Sequence, residues 1–474
     1  MTSSPYRYKW HILAAVGMGV FLATIDGSIV NVSLPTLVRD LNTDFATVQW
    51  VPLAYLLTLS TVLLGMGRLG DMIGKKPIYV SGFVLFTISS MLCGLAPNIH
   101  WLIGFRVLQA IGASMTQALG MAIITEAFPP QERGKALGYS GTLVSIGIVL
   151  GPTLGGFLID AFSWRSIFFV NLPIGIIGTA LTLRYVPRGT AVKTQRFDYG
   201  GAAVLFAALL SLLMALTLGQ QWGFGDGRIW LMLAGSLLLL TLFVVIEKRI
   251  AQPMIDLGLF RNLLFTINLI TGLIAFIAVA GVFILLPFYL ENMLGYGPRQ
   301  VGLLVAAVPV LLGITAPISG ILSDRYGTRP IATIGLAILA VGYLAMSRFT
   351  TETTLLAYLL AVLPFGAGMG IFQSPNNSAV MGSVPHEKLG IASGLLAMTR
   401  NLGQTTGIAV LGALWAARVM AYAGETVSGG VTAAPISAQI AGLQNTFQVI
   451  ATAVTLAFLL GVYGMIKERV KDEG

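Results

Sequence analysis

The chain has 474 residues, of which 56% are hydrophobic and only 10% charged, and its mean hydropathy is +0.84. Water-soluble domains carry about 25% charged residues, so soluble enzymes, disordered chains, collagens and coiled coils are excluded and an integral membrane protein remains. A single cysteine, Cys93, and three scattered histidines rule out a disulfide framework and any metal cluster of usable ligand spacing, while the net charge of +9 comes from basic residues spread singly and reads as a topology signal instead of a nucleic-acid surface.

A helix needs roughly 20 mostly apolar residues to cross the hydrocarbon core. Fourteen such stretches occur, near residues 11–32, 48–66, 78–96, 101–124, 137–159, 166–184, 199–218, 229–246, 264–287, 300–322, 331–347, 354–377, 389–414 and 446–466. The first follows Arg7 and Lys9 in the manner of a secretory signal, yet its apolar run passes Asp26 to reach Pro35 without a small-x-small cleavage site, so a retained helix is expected. With the N-terminus inside, cytoplasmic segments hold twenty Lys and Arg and outer segments six; only Arg106 and Arg400 fall within spans. This asymmetry follows the positive-inside rule and predicts a multi-pass protein of the inner (plasma) membrane with both termini cytoplasmic. The expected fold is all-α, with fourteen transmembrane helices. Two pseudo-symmetric six-helix bundles, at 1–190 and 256–474, flank an inserted helix pair and its linkers at 191–255, and a long loop at about 415–445 lies outside.

In chain order, the first candidate is Asp26, the one carboxylate well within a predicted span. If the first helix ends near residue 32, Asp26 lies about 9 Å from its outer end. The segment GRLGDMIGKK at 67–76 is predicted as a short cytoplasmic loop. Gly67 and Gly74 permit a tight turn, Arg68 and Lys75 supply inside charge, and Asp71 lies next to the start of the third span, where the helix dipole favours a carboxylate. The positive charges alone fit a solvated loop, whereas the glycine and aspartate spacing points to a conformational latch. In the fourth span Arg106 is about 7.5 Å from the outer end, a depth matching that of Asp26. Arg106, Gln109, Ala113 and Gln117 share one helical face as a polar stripe. Charge at bilayer depth is expensive and usually kept for function, so Asp26 and Arg106 are candidate proton-coupling residues; the alternative is a static ion pair that fixes packing. In the fifth span, GIVLGPTLGG at 147–156 places Gly147, Gly151 and Gly155 four apart on one face, with Pro152 to kink the helix and Gly156 beside them.

After the inserted pair, GILSDRYGTR at 320–329 repeats the 67–76 segment at an offset of 253, with Gly320, Asp324 and Gly327 matching Gly67, Asp71 and Gly74. Gly403, Gly407 and Gly412 likewise repeat Gly147, Gly151 and Gly156 at an offset of 256. Repeats at a constant offset mark a transporter built from two similar bundles. The twelfth span carries Gln373, Asn376 and Asn377, and the thirteenth Arg400 and Gln404. Such stripes face protein or water and not lipid, either lining a substrate cavity or bonding between helices. The first, fourth, twelfth and thirteenth spans are therefore expected to line a central cavity. Glu126 and Glu291, near span ends, are expected at the surface, and Trp10, Trp50, Trp101, Trp164 and Trp230 are expected to anchor helices at the membrane interfaces.

The Gly-x3-Asp-x2-Gly pattern at 67–74 resembles the hallmark loop of the major facilitator superfamily. The 147–156 sequence is similar to the antiporter motif of exporters in that superfamily, and IDGSIVNVSLP at 25–35 resembles the motif of its fourteen-helix drug:proton antiporter family. The resemblance covers essentially the whole chain. It implies export of amphipathic or hydrophobic compounds, drugs and dyes among them, by proton antiport with alternating access, and multidrug efflux with antibiotic resistance as the outcome. The implied partners are small amphipathic substrates, protons and the lipid bilayer, with no nucleic acid; the energy source is the proton gradient, without a cofactor, and a monomer is expected.

No Gly-x4-Gly-Lys-Ser/Thr fingerprint occurs, so ATP is not the direct energy source. An enzyme would need a nucleophile with a base or a metal cluster, but His11, His100 and His386 are far apart in the chain, and a channel would show a filter or charged ring. Not an enzyme is the expectation. Within transporters, a dedicated exporter of one metabolite or lipid and a proton-coupled uptake symporter remain as alternatives.

Overall fold

The computed structural model describes residues 8–129, 132–187, 199–250, 257–384, 389–424, 427 and 430–472. Its helices are α1 (Lys9–Asp40), α2 (Phe45–Val48), α3 (Trp50–Ile73), α4 (Lys75–Gly94), α5 (Ile99–Ala127), α6 (Arg133–Ala161), α7 (Ser166–Phe169), α8 (Asn171–Tyr185), α9 (Tyr199–Trp222), α10 (Gly227–Arg249), α11 (Leu263–Phe288), α12 (Pro298–Tyr326), α13 (Thr328–Met346), α14 (Leu355–Gly382), α15 (Leu389–Ala423) and α16 (Ile436–Asp472). Among the described residues there is no strand. Among the described residues, fourteen helical stretches are long and apolar enough to cross a membrane, one for each predicted span. That outcome follows from solvation: in hydrocarbon every backbone N–H and C=O must be paired within the chain, which a helix achieves locally.

The chain forms two compact units. One comprises Met1–Thr43, Trp50–Ala207 and Gly297–Gly302, the other Asp44–Gln49, Ala208–Tyr296 and Leu303–Gly474. In the first, α1 packs on α5, α6 and α8, and α5 packs on α3 and α4, around a core that includes Val16, Tyr79, Phe83, Phe86 and Leu119. In the second, α13 packs on α14 and α16, and α15 on α11 and α16. Short α2 belongs to this second unit, where Phe45 meets Phe288 and Trp415 edge-on with ring centroids 4.9 and 4.7 Å away.

Glycine contacts carry the internal repeat into three dimensions. A Cβ on Gly82 of α4 would meet the Gly112 carbonyl of α5 at 2.9 Å, and one on Gly335 of α13 would meet the Gly368 carbonyl of α14 at 2.9 Å. The offsets are again 253 and 256. On the other helix pair, a Cβ on Gly147 would reach the Ile25 nitrogen of α1 at 3.4 Å, and one on Gly403 the Ile277 nitrogen of α11 at 3.4 Å. In a bilayer, where lipid tails are as apolar as leucine, such close backbone approach is what holds helices together.

Several boundaries differ from the sequence-based expectation. The 67–76 segment is not a loop: α3 continues to Ile73, the Gly74 amide still donates to the Gly70 carbonyl at 2.9 Å, and the turn is Gly74 alone. Gly74 has φ 107° and ψ 143°, and its counterpart Gly327, between α12 and α13, has φ 91° and ψ 149°. Without a Cβ, glycine enters this region freely, so one residue suffices to reverse the chain. Asp71 therefore lies in the last turn of α3 and not at the start of the next helix; its side chain and that of Arg68 lie outside the described set. Helix α1 runs eight residues past the expected end, through Pro35 to Asp40, which puts Asp26 about 21 Å from that end at 1.5 Å per residue. The expected loop at 415–445 is shorter, because α15 extends to Ala423 and α16 starts at Ile436. Trp164 is packed inside at 1% exposure instead of lying at an interface, with the Arg165 guanidinium over its ring, whereas Trp10, Trp101 and Trp230 are exposed. Glu291 is also buried, in a π-helical turn at the end of α11, where the wider turn directs it inward.

Candidate functional site

The site grows from the start of α5. Asn98 caps that helix, its Oδ1 accepting from the His100 and Trp101 amides, and this sets Arg106 and Gln109, three residues apart, on one face. On α1, the Ser28 hydroxyl donates to the Gly147 carbonyl at 3.2 Å and, with Gly151 and Gly155 packed against Ser28 and Ile29, fixes the helix that carries Asp26. The short break between α7 and α8 leaves Asn171 at the first position of α8. Pro173 two residues later is tolerated there because first-turn amides have no intrahelical partner.

These elements converge on one carboxylate. Arg106 Nη1 donates to Asp26 Oδ2 at 2.6 Å and to Gln109 Oε1 at 2.7 Å, while Arg106 Nε donates to the Val51 carbonyl at 3.2 Å. Gln109 Nε2 and Asn171 Nδ2 each donate to Asp26 Oδ1 at 2.9 Å. Asn171 Nδ2 also reaches Ser90 Oγ at 3.0 Å, and Ser90 donates to the Phe168 carbonyl at 2.8 Å. The Tyr55 ring covers the guanidinium at 4.2 Å. Asp26, Gln109 and Asn171 are 0% exposed and Arg106 is 1% exposed. Six helices thus seal a charge pair in low-dielectric surroundings with each carboxylate oxygen bonded, the condition under which a buried pair is tolerated.

The chemistry available is proton exchange at Asp26. Ionised, the carboxylate accepts from three side chains; protonated, it becomes a donor and its charge no longer holds the guanidinium. A protonated Asp26 needs an acceptor, and Asn171 Oδ1 is buried without a hydrogen-bond partner among the described residues. A 180° turn of that amide would offer this oxygen in place of the nitrogen. The cradle is therefore compatible with both protonation states.

The remaining predicted polar residues are distributed differently. Gln117, two turns beyond Gln109 on α5, is half-buried, as are Gln373 and Asn377 of α14 and Arg400 and Gln404 of α15, whereas Asn376 is 3% exposed. In the second unit the structure adds Asn268 of α11 and Asn401 of α15, each buried with an Nδ2 that has no hydrogen-bond partner among the described residues. Asn268 was legible as a lone amide in an otherwise apolar span, and Asn401 as the neighbour of Arg400. Asn171 and Ser90 carried no comparable signal. Of the motif residues, Lys75 pairs with Glu126, whose side chain is 59% exposed, and Asp324 is exposed at the end of α12. Pro152 sits inside continuous α6, and Gly156 packs against the Gly302 backbone, where a Cβ would come within 3.0 Å of its Cα. Gly67 faces Ala118 at 4.0 Å and Gly320 faces Ser374 at 3.2 Å.

Comparison with known proteins fits this architecture. The model of the Major Facilitator Superfamily matches residues 16–408. The riboflavin transporter RibZ of Clostridioides difficile (strain 630) is 36% identical over 411 residues, covering 86% of this chain and 89% of that protein. The multidrug resistance protein Stp of Mycobacterium tuberculosis (strain CDC 1551 / Oshkosh) is 36% identical over 406 residues, covering 85% and 75%. Among solved structures, a bacterial homologue of the human lysosomal transporter Spinster, inward-facing and unoccupied, matches with a TM-score of 0.68 at 18% identity over 97% of both chains, a likeness of fold. Fourteen membrane-crossing helices, a repeat expressed in both backbone turns and glycine contacts, and a match along most of the sequence agree: the chain belongs to the major facilitator superfamily and is a multi-pass membrane transporter, not an enzyme.

Proposed function

We propose that this transporter exports amphipathic or hydrophobic compounds, drugs and dyes among them, in exchange for protons and by alternating access. Asp26 is the proton-carrying group and Arg106 its internal counter-ion. The observation that carries this reading is the sealed Asp26–Arg106 pair, with partners suited to both protonation states of the acid. The multidrug name of Stp supports the substrate class. Half-buried Gln117, Gln373, Asn377, Arg400 and Gln404 are assigned to substrate contact, and Gln109 and Asn376 to the support behind it. The turn glycines Gly74 and Gly327, with Asp71 and Asp324 near them, serve the conformational exchange. We place the protein in the inner (plasma) membrane as a monomer with both termini cytoplasmic, following the charge asymmetry of its loops, and regard 191–255 as an insertion between two six-helix halves. The proton gradient is the energy source and no cofactor takes part.

A second reading, a dedicated carrier of one metabolite, is favoured by the name of RibZ. One experiment tests both: the purified protein in proteoliposomes, given an imposed pH gradient, is offered ethidium-type cationic dyes, neutral hydrophobic drugs or riboflavin, with and without a protonophore. Protonophore-sensitive movement of several unrelated dyes supports multidrug antiport. Movement of riboflavin alone supports the dedicated carrier, and movement unaffected by the protonophore removes proton coupling.

A further inference from the structure

The second unit holds an intramembrane cation without a counter-charge. Arg400 stands eleven residues into α15, about 16 Å from the start of that helix at 1.5 Å per residue, and belongs to a membrane-crossing stretch. No aspartate or glutamate occurs in α11, α14 or α15. Among the described residues no acid forms an ion pair with Arg400 either: Glu468 pairs with Arg329 of α13, Asp324 is exposed at the end of α12, and Glu291 lies beyond the far end of α11. Arg106, by contrast, has Asp26. An arginine does not shed its proton, so its charge at depth is matched by an anion or not at all.

The neutral groups nearby add donors. A Cβ on Gly272 of α11 would come within 3.3 Å of Asn376 Nδ2 on α14 and 3.9 Å of Thr399 Cγ2 on α15, so three helices meet at the residue preceding Arg400. Asn268 lies one turn before Gly272 on the same face of α11, and its Nδ2 is buried without a hydrogen-bond partner among the described residues. A buried donor of this kind is costly unless something accepts from it. The other polar side chains of α11 are Thr266 and Thr271, each bonded to backbone carbonyls, and the rest of that helix is apolar. A cation would meet like charge here, and a neutral ring would leave the guanidinium unmatched. A carboxylate on an apolar body meets both demands, because its two oxygens accept parallel bonds from the guanidinium fork.

We propose that Arg400, with Asn268 beside it, receives the carboxylate of an amphipathic organic acid, so that deprotonated acids are preferred as substrates over cationic or neutral molecules of the same shape. This rests on the export function proposed above and gives it a substrate class. The test is binding to the purified protein in detergent, without any gradient and corrected for micelles alone, of rhodamine B, naproxen and fusidic acid, each against its ethyl ester. Acid and ester share one apolar body and differ by one negative charge. The wild type is expected to bind each acid about tenfold more tightly than its ester, and Arg400→Gln should remove that preference by weakening the acid alone. Arg400→Lys should keep part of it, and Asn268→Leu should weaken the acid about threefold. Thermal unfolding separates binding from folding: the acids should raise the unfolding temperature of the wild type and not that of Arg400→Gln. Equal affinity for acid and ester in all three pairs, or acid binding unchanged in Arg400→Gln, would overturn the proposal. Phosphatidylglycerol retained by the wild type and lost from Arg400→Gln in native mass spectrometry would overturn it too, by assigning the arginine to a lipid headgroup. Acid preference without proton-driven transport would remove the antiport reading and leave this site standing, whereas proton-driven transport without acid preference would do the reverse.

Discussion

Asn171 donates to the same oxygen of Asp26, Oδ1, that Gln109 does, at 2.9 Å in both cases, while Arg106 holds the other oxygen at 2.6 Å. Amides from α5 and α8 thus meet on one atom of α1, although the three residues are separated by 83 and 145 positions along the chain. The arrangement makes Asp26 a junction of three helices as well as a titratable group, so its substitution has two separable effects.

On the proposed function, Asp26→Asn is expected to abolish proton-driven export and leave the protein inserted. It also leaves the Arg106 guanidinium buried without a counter-charge, which costs about 3–5 kcal/mol when a buried pair is broken from one side. The double variant Asp26→Asn, Arg106→Gln should recover part of that stability without recovering transport. Thermal unfolding in detergent and uptake into pH-gradient proteoliposomes read the two effects separately. Uphill transport by Asp26→Asn at the wild-type rate would make Asp26 structural and move the search to Glu126 and Glu291.

Asn171→Ala removes the bonds to Asp26 and Ser90 and leaves part of the cluster unsatisfied, an effect of about 1–3 kcal/mol. Transport should slow, and Asn171→Gln should not restore it, because the longer amide cannot take the same position without displacing Ser90. If transport and unfolding temperature are both unchanged in Asn171→Ala, the amide has no part in positioning the acid.

Gly74→Ala and Gly327→Ala place a Cβ at φ 107° and 91° with extended ψ and should each destabilise the protein by about 1–3 kcal/mol. Gly67→Ala, with nothing closer than Ala118 at 4.0 Å, should be close to neutral. Unfolding temperatures of the three variants check the contrast, and equal temperatures would show that the turn conformation is not required.

Gly155→Leu drives a side chain into Ile29, already 2.7 Å from a Cβ at that position, and should cost about 1–3 kcal/mol by overpacking α6 against α1. Gly104→Leu on the open side of α5, where nothing lies within 4 Å, is the matched control. Yield of monodisperse protein and thermal unfolding distinguish them.

At the turn between α9 and α10, hydrogen bonds from Arg228 hold the half-buried Asp226 carboxyl down at about 2, from an ordinary 3.8. A depressed acid contributes its stabilisation above the unfolded value and loses it as pH falls through the folded one. The contribution of this pair should therefore be constant from pH 8 to 5 and vanish only as pH approaches 2. Carboxyl NMR of Asp226 checks it, and a midpoint near 3.8 would show that the pair does not form.

The number of spans, their order, the two-fold repeat and the buried charges Asp26 and Arg106 were legible in the sequence, whereas the buried Glu291 was not. Hydrophobic length and the rarity of ionisable residues at depth are local properties, and a repeat offset needs only one dimension. Where the helices end was not legible: α3 passed through its glycine-rich segment because glycine and aspartate permit a turn without compelling one, and α1 accommodated Pro35 within a helix. Nor did any pattern mark Asn171 and Ser90, since a lone amide after a helix break and a serine in an apolar span are common, and their meaning comes from the partners they meet. The sequence by itself determined that an acid, Asp26, and a base, Arg106, lie within membrane spans; only the tertiary structure decided that they pair and which neutral groups surround them, because hydrogen bonds are short and directional and helices distant in sequence must first be brought together by their small residues.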